Sequence, residues 1–300
     1  MKKNELFERL TCRDKAKRWR NISLVLILVI LFFGMKLFTG DGNINNNYIA
    51  RVYINGVIEN NNYRDDRLEK IIDDKSIKAV IFHIDSPGGA IVTSEQIFNK
   101  MKRISEKKPI VVVMGNIAAS GGYLVSLASD YILAGNGTIT GSIGVLMQTF
   151  EVLDLIKRMG INPLIYKSSE LKANPSLFEK PTEEANQVLN ETIKDSHRFF
   201  MELIVKRRKM NIKEVEKIAD GRIFTGRQAL KRRLIDAIGY ESDALIYLKA
   251  EKGIDTDELR VKDYELEEII DTFGFKRFFY FISSLKSKKK GGIMAIYEGK

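Results

Sequence analysis

One cysteine, Cys12, is all this chain of 300 residues contains. It sits in a basic N-terminal stretch, so neither an intramolecular disulfide nor a cysteine-rich metal centre can form. A domain free of cysteine is compatible with an oxidising compartment. Histidine is nearly as scarce, with His83 and His197 the only two. No His-Glu-x-x-His and no Cys-x-x-Cys occurs, which removes the familiar zinc motifs. There is no Walker A sequence, and Gly135, Gly137 and Gly141 miss the Gly-x-Gly-x-x-Gly dinucleotide pattern by one position. His83 falls inside an apolar strand and His197 inside a long helix, so both read as packing or edge residues. A Ser-His-Asp triad therefore lacks its base. No cofactor is implied.

The net charge of +10 would suit a nucleic-acid partner if it were spread along a groove. It is not. Residues 1–20 hold eight Lys/Arg against three Asp/Glu, and residues 276–300 hold seven against one. The stretch between them comes to −1. The basicity belongs to the two ends, and nucleic acid is not an expected partner.

Behind the basic head, residues 1–21, runs the apolar segment 22–38, at the short end for a membrane-spanning helix. Its rival is a cleaved signal peptide. The long charged head, Lys36 at the exit and the lack of an Ala-x-Ala site favour an uncleaved signal anchor. The positive-inside rule then leaves the head in the cytoplasm and the remainder beyond the plasma (inner) membrane, a single-pass topology. Residues 39–48, rich in Gly and Asn, read as a linker to a domain over 49–272. The tail 273–300 is aromatic, then basic, and too short to span a bilayer; it suits an anionic membrane surface or a neighbouring subunit, and a packed terminal helix with a basic tail is the simpler account.

Within the domain, apolar runs predict strands at 51–54, 79–84, 110–114, 131–134 and 164–166. Helices are expected at 68–72, at 91–104 with Ile91, Ile97, Met101 and Ile104 near one face, after Ser120, near 152–159, and over 181–207, where Ala185, Val188, Leu189, Ile193, Phe200 and Ile204 recur at helical spacing. This alternation means an α/β fold.

Ser120 stands in Asn116-Ile117-Ala118-Ala119-Ser120-Gly121-Gly122-Tyr123, just after a buried strand. At such a strand-to-helix junction a serine is read equally well as an N-cap or as a nucleophile beside N–H groups that stabilise an oxyanion. Upstream, Asp85-Ser86-Pro87-Gly88-Gly89 closes another apolar strand in a tight turn.

Together the two motifs resemble the Clp protease/crotonase superfamily, whose repeated ββα units set a glycine turn and an active residue around one oxyanion hole. Within it the chain resembles the short, single-repeat bacterial signal peptide peptidases, related to protease IV. Three further segments carry the likeness: Thr140-Gly141-Ser142-Ile143-Gly144-Val145, Lys167-Ser168-Ser169-Glu170-Leu171-Lys172-Ala173-Asn174-Pro175-Ser176, and Ala219-Asp220-Gly221-Arg222-Ile223-Phe224-Thr225-Gly226-Arg227-Gln228-Ala229-Leu230. It extends from about residue 49 to 239.

The resemblance implies a membrane-anchored serine endopeptidase with a Ser/Lys dyad, acting on signal-peptide remnants or other extended peptides, and a homo-oligomer. It assigns Ser120 as nucleophile and Lys172 as base, with Lys167 a flanking lysine, and Ser142 as the residue orienting the amine. Gly89 and Gly121 are the expected oxyanion donors. Ser169 stands where the family often has glycine, a departure that leaves the spacing intact. A lysine accepts a proton only when neutral, and its reference pKa is about 10.4, so such a base needs burial to favour the uncharged form. Two other classes share the fold: a crotonase-like acyl-CoA enzyme, and a catalytically inactive membrane scaffold.

Overall fold

The computed structural model describes residues 19–21, 23–31 and 47–266. Two compact units divide at Asn46/Asn47. In the first, residues 19–21 and 23–31 are helical, and every large apolar side chain from Leu24 to Leu31 is exposed. Among the described residues no helix is long and apolar enough to cross a membrane. The rest of the expected anchor, most of the linker and the tail 273–300 lie outside the described residues.

The second unit opens with three β-α steps. Strand β1 (Tyr48–Asn55) leads to α1 (Asn62–Asp73), β2 (Ile77–Ser86) to α2 (Ile91–Ser105), and β3 (Ile110–Ala119) to α3 (Gly121–Ser126). Then come β4 (Tyr131–Ala134), β5 (Ile139–Gly141), α4 (Leu153–Arg158) and the long α5 (Glu183–Arg208). The chain finishes with α6 (Ile212–Glu216), β6 (Ile223–Thr225), α7 (Gly226–Lys231), β7 (Ala237–Ile238), α8 (Glu241–Lys252) and β8 (Arg260–Asp263). The α/β class expected from the sequence is observed, with strand–helix alternation in the first half rather than uniform ββα units.

One eight-stranded sheet runs in the order β6-β5-β3-β2-β1-β8, with β4 on β3 and β7 on β4. Among the described residues only the β5–β6 pair is antiparallel. Its central strands are buried on both faces, which is why they read as continuous apolar runs. Successive residues of β2 serve opposite cores: Val80, Phe82 and Ile84 pack with Ile97, Met101, Tyr123 and Phe200. Ala79 and Ile81 pack instead with Val111, Leu133, Ala244 and Leu248. The expected stripe on α2 holds at Ile97, Met101 and Ile104, whereas Ile91 is only half-buried because it faces a cleft.

Strand β3 has a divided edge. Its first half, Val111–Met114, pairs with β4, and its second, Ile117–Ala119, pairs with β5. Towards β2 the register jumps, from Ile84 opposite Met114 to Ser86 opposite Ala118. The Asp85 carboxylate fills the gap, accepting from Ile117 N at 3.1 Å and from Asn116 Nδ2 at 3.0 Å. A bulge of this kind bends a strand and re-aims the residues beyond it. Ser120 is the residue so aimed.

The strand expected at 164–166 does not form. Leu164 and Tyr166 are 79% and 91% exposed, and no neighbouring strand among the described residues offers them a ladder. An apolar run without a partner cannot satisfy its backbone as a strand.

Candidate active site

Ser120 turns the chain from β3 into α3 with φ 52° and ψ −119°. For a non-glycine residue this conformation costs on the order of 1–3 kcal/mol and persists only where the surroundings enforce it. Enforcement comes from both sides: Ser120 N–H donates to Gly141 O at 2.8 Å, and Leu124 N–H donates to Ser120 O at 2.9 Å. The side chain makes no capping hydrogen bond, so the N-cap reading of Ser120 holds for its position but not for its hydroxyl. The same backbone shape, a strained strand-to-helix corner, presents the nucleophile in α/β hydrolases.

The Pro87-Gly88-Gly89 turn lies against this corner. A Cβ on Gly89 would collide with Ile58 O and lie 2.7 Å from Ile58 N, where the two residues form a parallel bridge. A Cβ on Gly121 would collide with Ser94 Oγ and lie 3.2 Å from Gly89 N. The two glycine backbones are thus adjacent. Among the described residues, neither Gly89 N–H nor Gly121 N–H donates a hydrogen bond. Two free, neighbouring N–H groups beside a hydroxyl can stabilise a developing oxyanion.

Ser142 follows β5 at φ 49° and is tied to the late motif by its N–H bond to Arg222 O at 2.8 Å. Gly221 N–H donates in turn to Ile143 O at 3.1 Å. The segment 219–226 therefore braces the Ser142 corner through the antiparallel β5–β6 pair. Ser120, Gly121, Gly89 and Ser142 line one cleft of about 590 Å³. Its apolar walls include Leu124, Leu146 and Phe200. Sequence reasoning placed Phe200 on the apolar stripe of the long helix but missed its place in the cleft.

The lysines lie elsewhere. Lys172 is exposed and does not line the cleft. Lys167 Nζ sits 2.9 Å from Glu179 Oε1, and the Glu179 hydrogen bond holds the ammonium above its ordinary pKa. Lys167 is thus engaged in an ion pair and does not line the cleft. The stretch around these lysines is apolar and uncovered: α4 has no buried residue, and Leu146, Phe150, Leu155, Met159, Leu164 and Tyr166 are all exposed.

Both histidines take structural positions. His83 Nε2 lies 2.7 Å from Glu241 Oε2, and the ring stacks on Tyr53 at 5.1 Å. Burial works to raise the Glu241 carboxyl, but the Arg51 and His83 contacts more than reverse it, leaving it below the usual carboxylate range. His197 Nε2 is buried without a partner among the described residues. Neither histidine lines the cleft. Among the described residues no cluster of His, Cys, Asp and Glu fits a metal ion.

The chain is similar to known peptidases. The model of peptidase family S49 matches residues 102–255, and that of Clp protease matches residues 66–133. An Enterococcus faecium protein provisionally named signal peptide peptidase SppA is 38% identical over 224 residues, covering 70% of this chain and 65% of that protein. A Synechocystis protein provisionally named a protease is 35% identical over 218 residues, covering 72% and 79%. Protease 4 of Haemophilus influenzae is 36% identical over 208 residues, covering 68% of this chain but 33% of that protein.

Proposed function

The chain belongs to peptidase family S49, and on that premise we propose a membrane-anchored serine endopeptidase with Ser120 as nucleophile and Lys172 as general base. The observation that carries this reading is the uncapped Ser120 hydroxyl on a strained corner, beside the unengaged N–H groups of Gly89 and Gly121. In the proposed reaction a neutral lysine amine takes the Ser120 proton as Oγ bonds to the scissile carbonyl carbon. The carbonyl oxygen becomes an oxyanion between the Gly89 and Gly121 N–H groups. As the C–N bond breaks, the ammonium returns its proton to the leaving amine. Water, deprotonated by the same amine, then releases the acyl group as a carboxylic acid and restores Ser120. Ser142 orients the amine.

Since Lys172 is exposed and borne on an uncovered apolar arm, the lysine is assigned to a neighbouring subunit of a homo-oligomer. The apolar walls of the cleft suit extended, apolar peptides such as signal-peptide remnants. A fluorophosphonate probe tests the nucleophile. It is expected to label the wild type once per chain and to leave Ser120→Ala unlabelled. Labelling at another serine would overturn the assignment. No labelling at all would favour the acyl-CoA enzyme or the inactive scaffold.

The proposed topology places residues 1–21 in the cytoplasm and the catalytic domain outside it. Its support is the basic head before the apolar segment. In spheroplasts, protease added outside is expected to digest the domain while Cys12 stays closed to impermeant thiol reagents. Labelling of Cys12 from outside would refute it.

A further inference from the structure

At the far end of α3 from Ser120 lies a second cavity, of about 630 Å³, lined by six cations (Lys206, Arg207, Arg208, Lys209, Arg233 and Lys252) and two carboxylates, Asp130 and Asp236. Outside the two basic ends the chain is almost neutral, so this is a local concentration of positive charge. Both carboxylates are already engaged. Asp236 takes Arg208 in a two-point pair at 2.9 and 3.0 Å and also accepts from Ile132 N at 2.8 Å. Asp130 accepts from Ile110 N at 3.1 Å and lies 3.5 Å from Lys252.

The remaining charge is positive and, Arg233 aside, faces no carboxylate within ion-pair reach among the described residues. Lys206 and Lys209 are exposed, and their ammonium groups have no side-chain partner among the described residues. Arg233 Nη2 donates to Lys209 O at 3.0 Å, and its other amino group is 3.7 Å from Glu214. Arg207 faces no carboxylate within ion-pair reach among the described residues: its Nε and Nη2 donate to the carbonyls of Leu127 and Ser129 at 2.6 and 2.8 Å, leaving Nη1 free. Burial lowers the Arg207 pKa, with Asp130 opposing that and Arg208 adding to it, as expected of a cation in need of a counter-ion. The end of α5 supplies only about half a negative charge, too little to balance this group.

We propose that this cavity is a binding site for a phosphate group, held by Lys206, Lys209, Arg233 and the free Nη1 edge of Arg207. Planar guanidinium edges and mobile ammonium groups around one hollow match the tetrahedral, multiply charged oxyanion. Because Arg207 also closes the C-terminal end of the helix that begins at Ser120, the bound anion fixes the clamp that holds that helix. The chemistry is shared by soluble phosphates and by the headgroups of anionic phospholipids.

The test uses the full chain in detergent, with inorganic pyrophosphate as one probe and dihexanoyl phosphatidylglycerol, below its micellar concentration, as the other. A probe that binds the native state is expected to raise the melting temperature by about 5 °C at a hundredfold excess over its Kd. Sodium chloride at matched ionic strength and dihexanoyl phosphatidylcholine are expected to leave it unchanged. Lys206→Gln combined with Lys209→Asn removes two cations that hold no side-chain bond, and asparagine tolerates the left-handed conformation at 209, where φ is 52°. In that variant the rise, measured from its own baseline, is expected to vanish. A response to pyrophosphate alone identifies a soluble ligand, and a response to phosphatidylglycerol alone identifies a lipid headgroup. No response to either probe, or the same response in the variant, overturns the proposal.

Discussion

Subunits carrying Ser120→Ala and subunits carrying Lys172→Ala, each expected to be inert alone, are expected to regain activity when assembled together. Each single change is expected to lower peptide cleavage by at least a thousandfold, since removing one member of a catalytic unit costs nearly as much as removing the whole. Recovery follows from the placement of the lysine. In one chain Ser120 opens into the cleft while Lys172 stands exposed on an uncovered apolar arm. In the proposed closed ring, unlike faces would join head to tail, so that every serine would meet the lysine of the next subunit. In a random one-to-one mixture about a quarter of the junctions then pair an intact serine with an intact lysine, and about a quarter of wild-type activity returns. The measurement is turnover of a fluorogenic peptide alongside the mass of the mixed assembly. Mixed assembly without turnover would place the dyad inside one chain.

Arg207→Met is expected to destabilise the domain by about 3–4 kcal/mol, a fall in melting temperature of roughly 10 °C. The guanidinium donates to Leu127 O, Ala128 O and Ser129 O at 2.6, 3.4 and 2.8 Å. These residues are buried, at 1%, 0% and 6% exposure, so losing the guanidinium leaves their carbonyls poorly satisfied. Methionine keeps much of the aliphatic stem and removes the charged donor head, which separates the head group from packing. Lysine at the same position offers one mobile group instead of a fork and is expected to recover less than half of the loss. A Met variant that melts with the wild type would show that these carbonyls gain nothing from the guanidinium.

The sequence carried the elements of the site better than their assembly. Apolar runs gave β2, β3 and β4 because strands buried on both faces need no alternation. The stripe at Ile97, Met101 and Ile104 gave α2, and the one through Phe200 and Ile204 gave α5. Ser120, Gly89, Gly121 and Ser142 were legible as a group through their motifs, and the fold brings all four to one cleft. Strands β5 to β8 were missed or only glimpsed because two to four residues carry too little periodicity. The stretch 164–166 misled for the opposite reason: an apolar run encodes a wish for burial, not the partner that provides it. Asp85, the bulge it fills and the Arg207 clamp were invisible, since each joins residues far apart in the chain.

The divided edge of β3 means that a single strand serves two masters. Below Met114 it is a beam in the hydrophobic interior, fixed by β2 and β4. Beyond the bulge it is a bracket, hung on Asp85 and the short β5–β6 ladder, from which Ser120 projects. The interior beam tolerates volume-conserving exchanges while the bracket keeps its aim. Conversely, the bracket can be retuned without rebuilding the interior, so robustness and catalytic precision become separately heritable properties of one ten-residue strand.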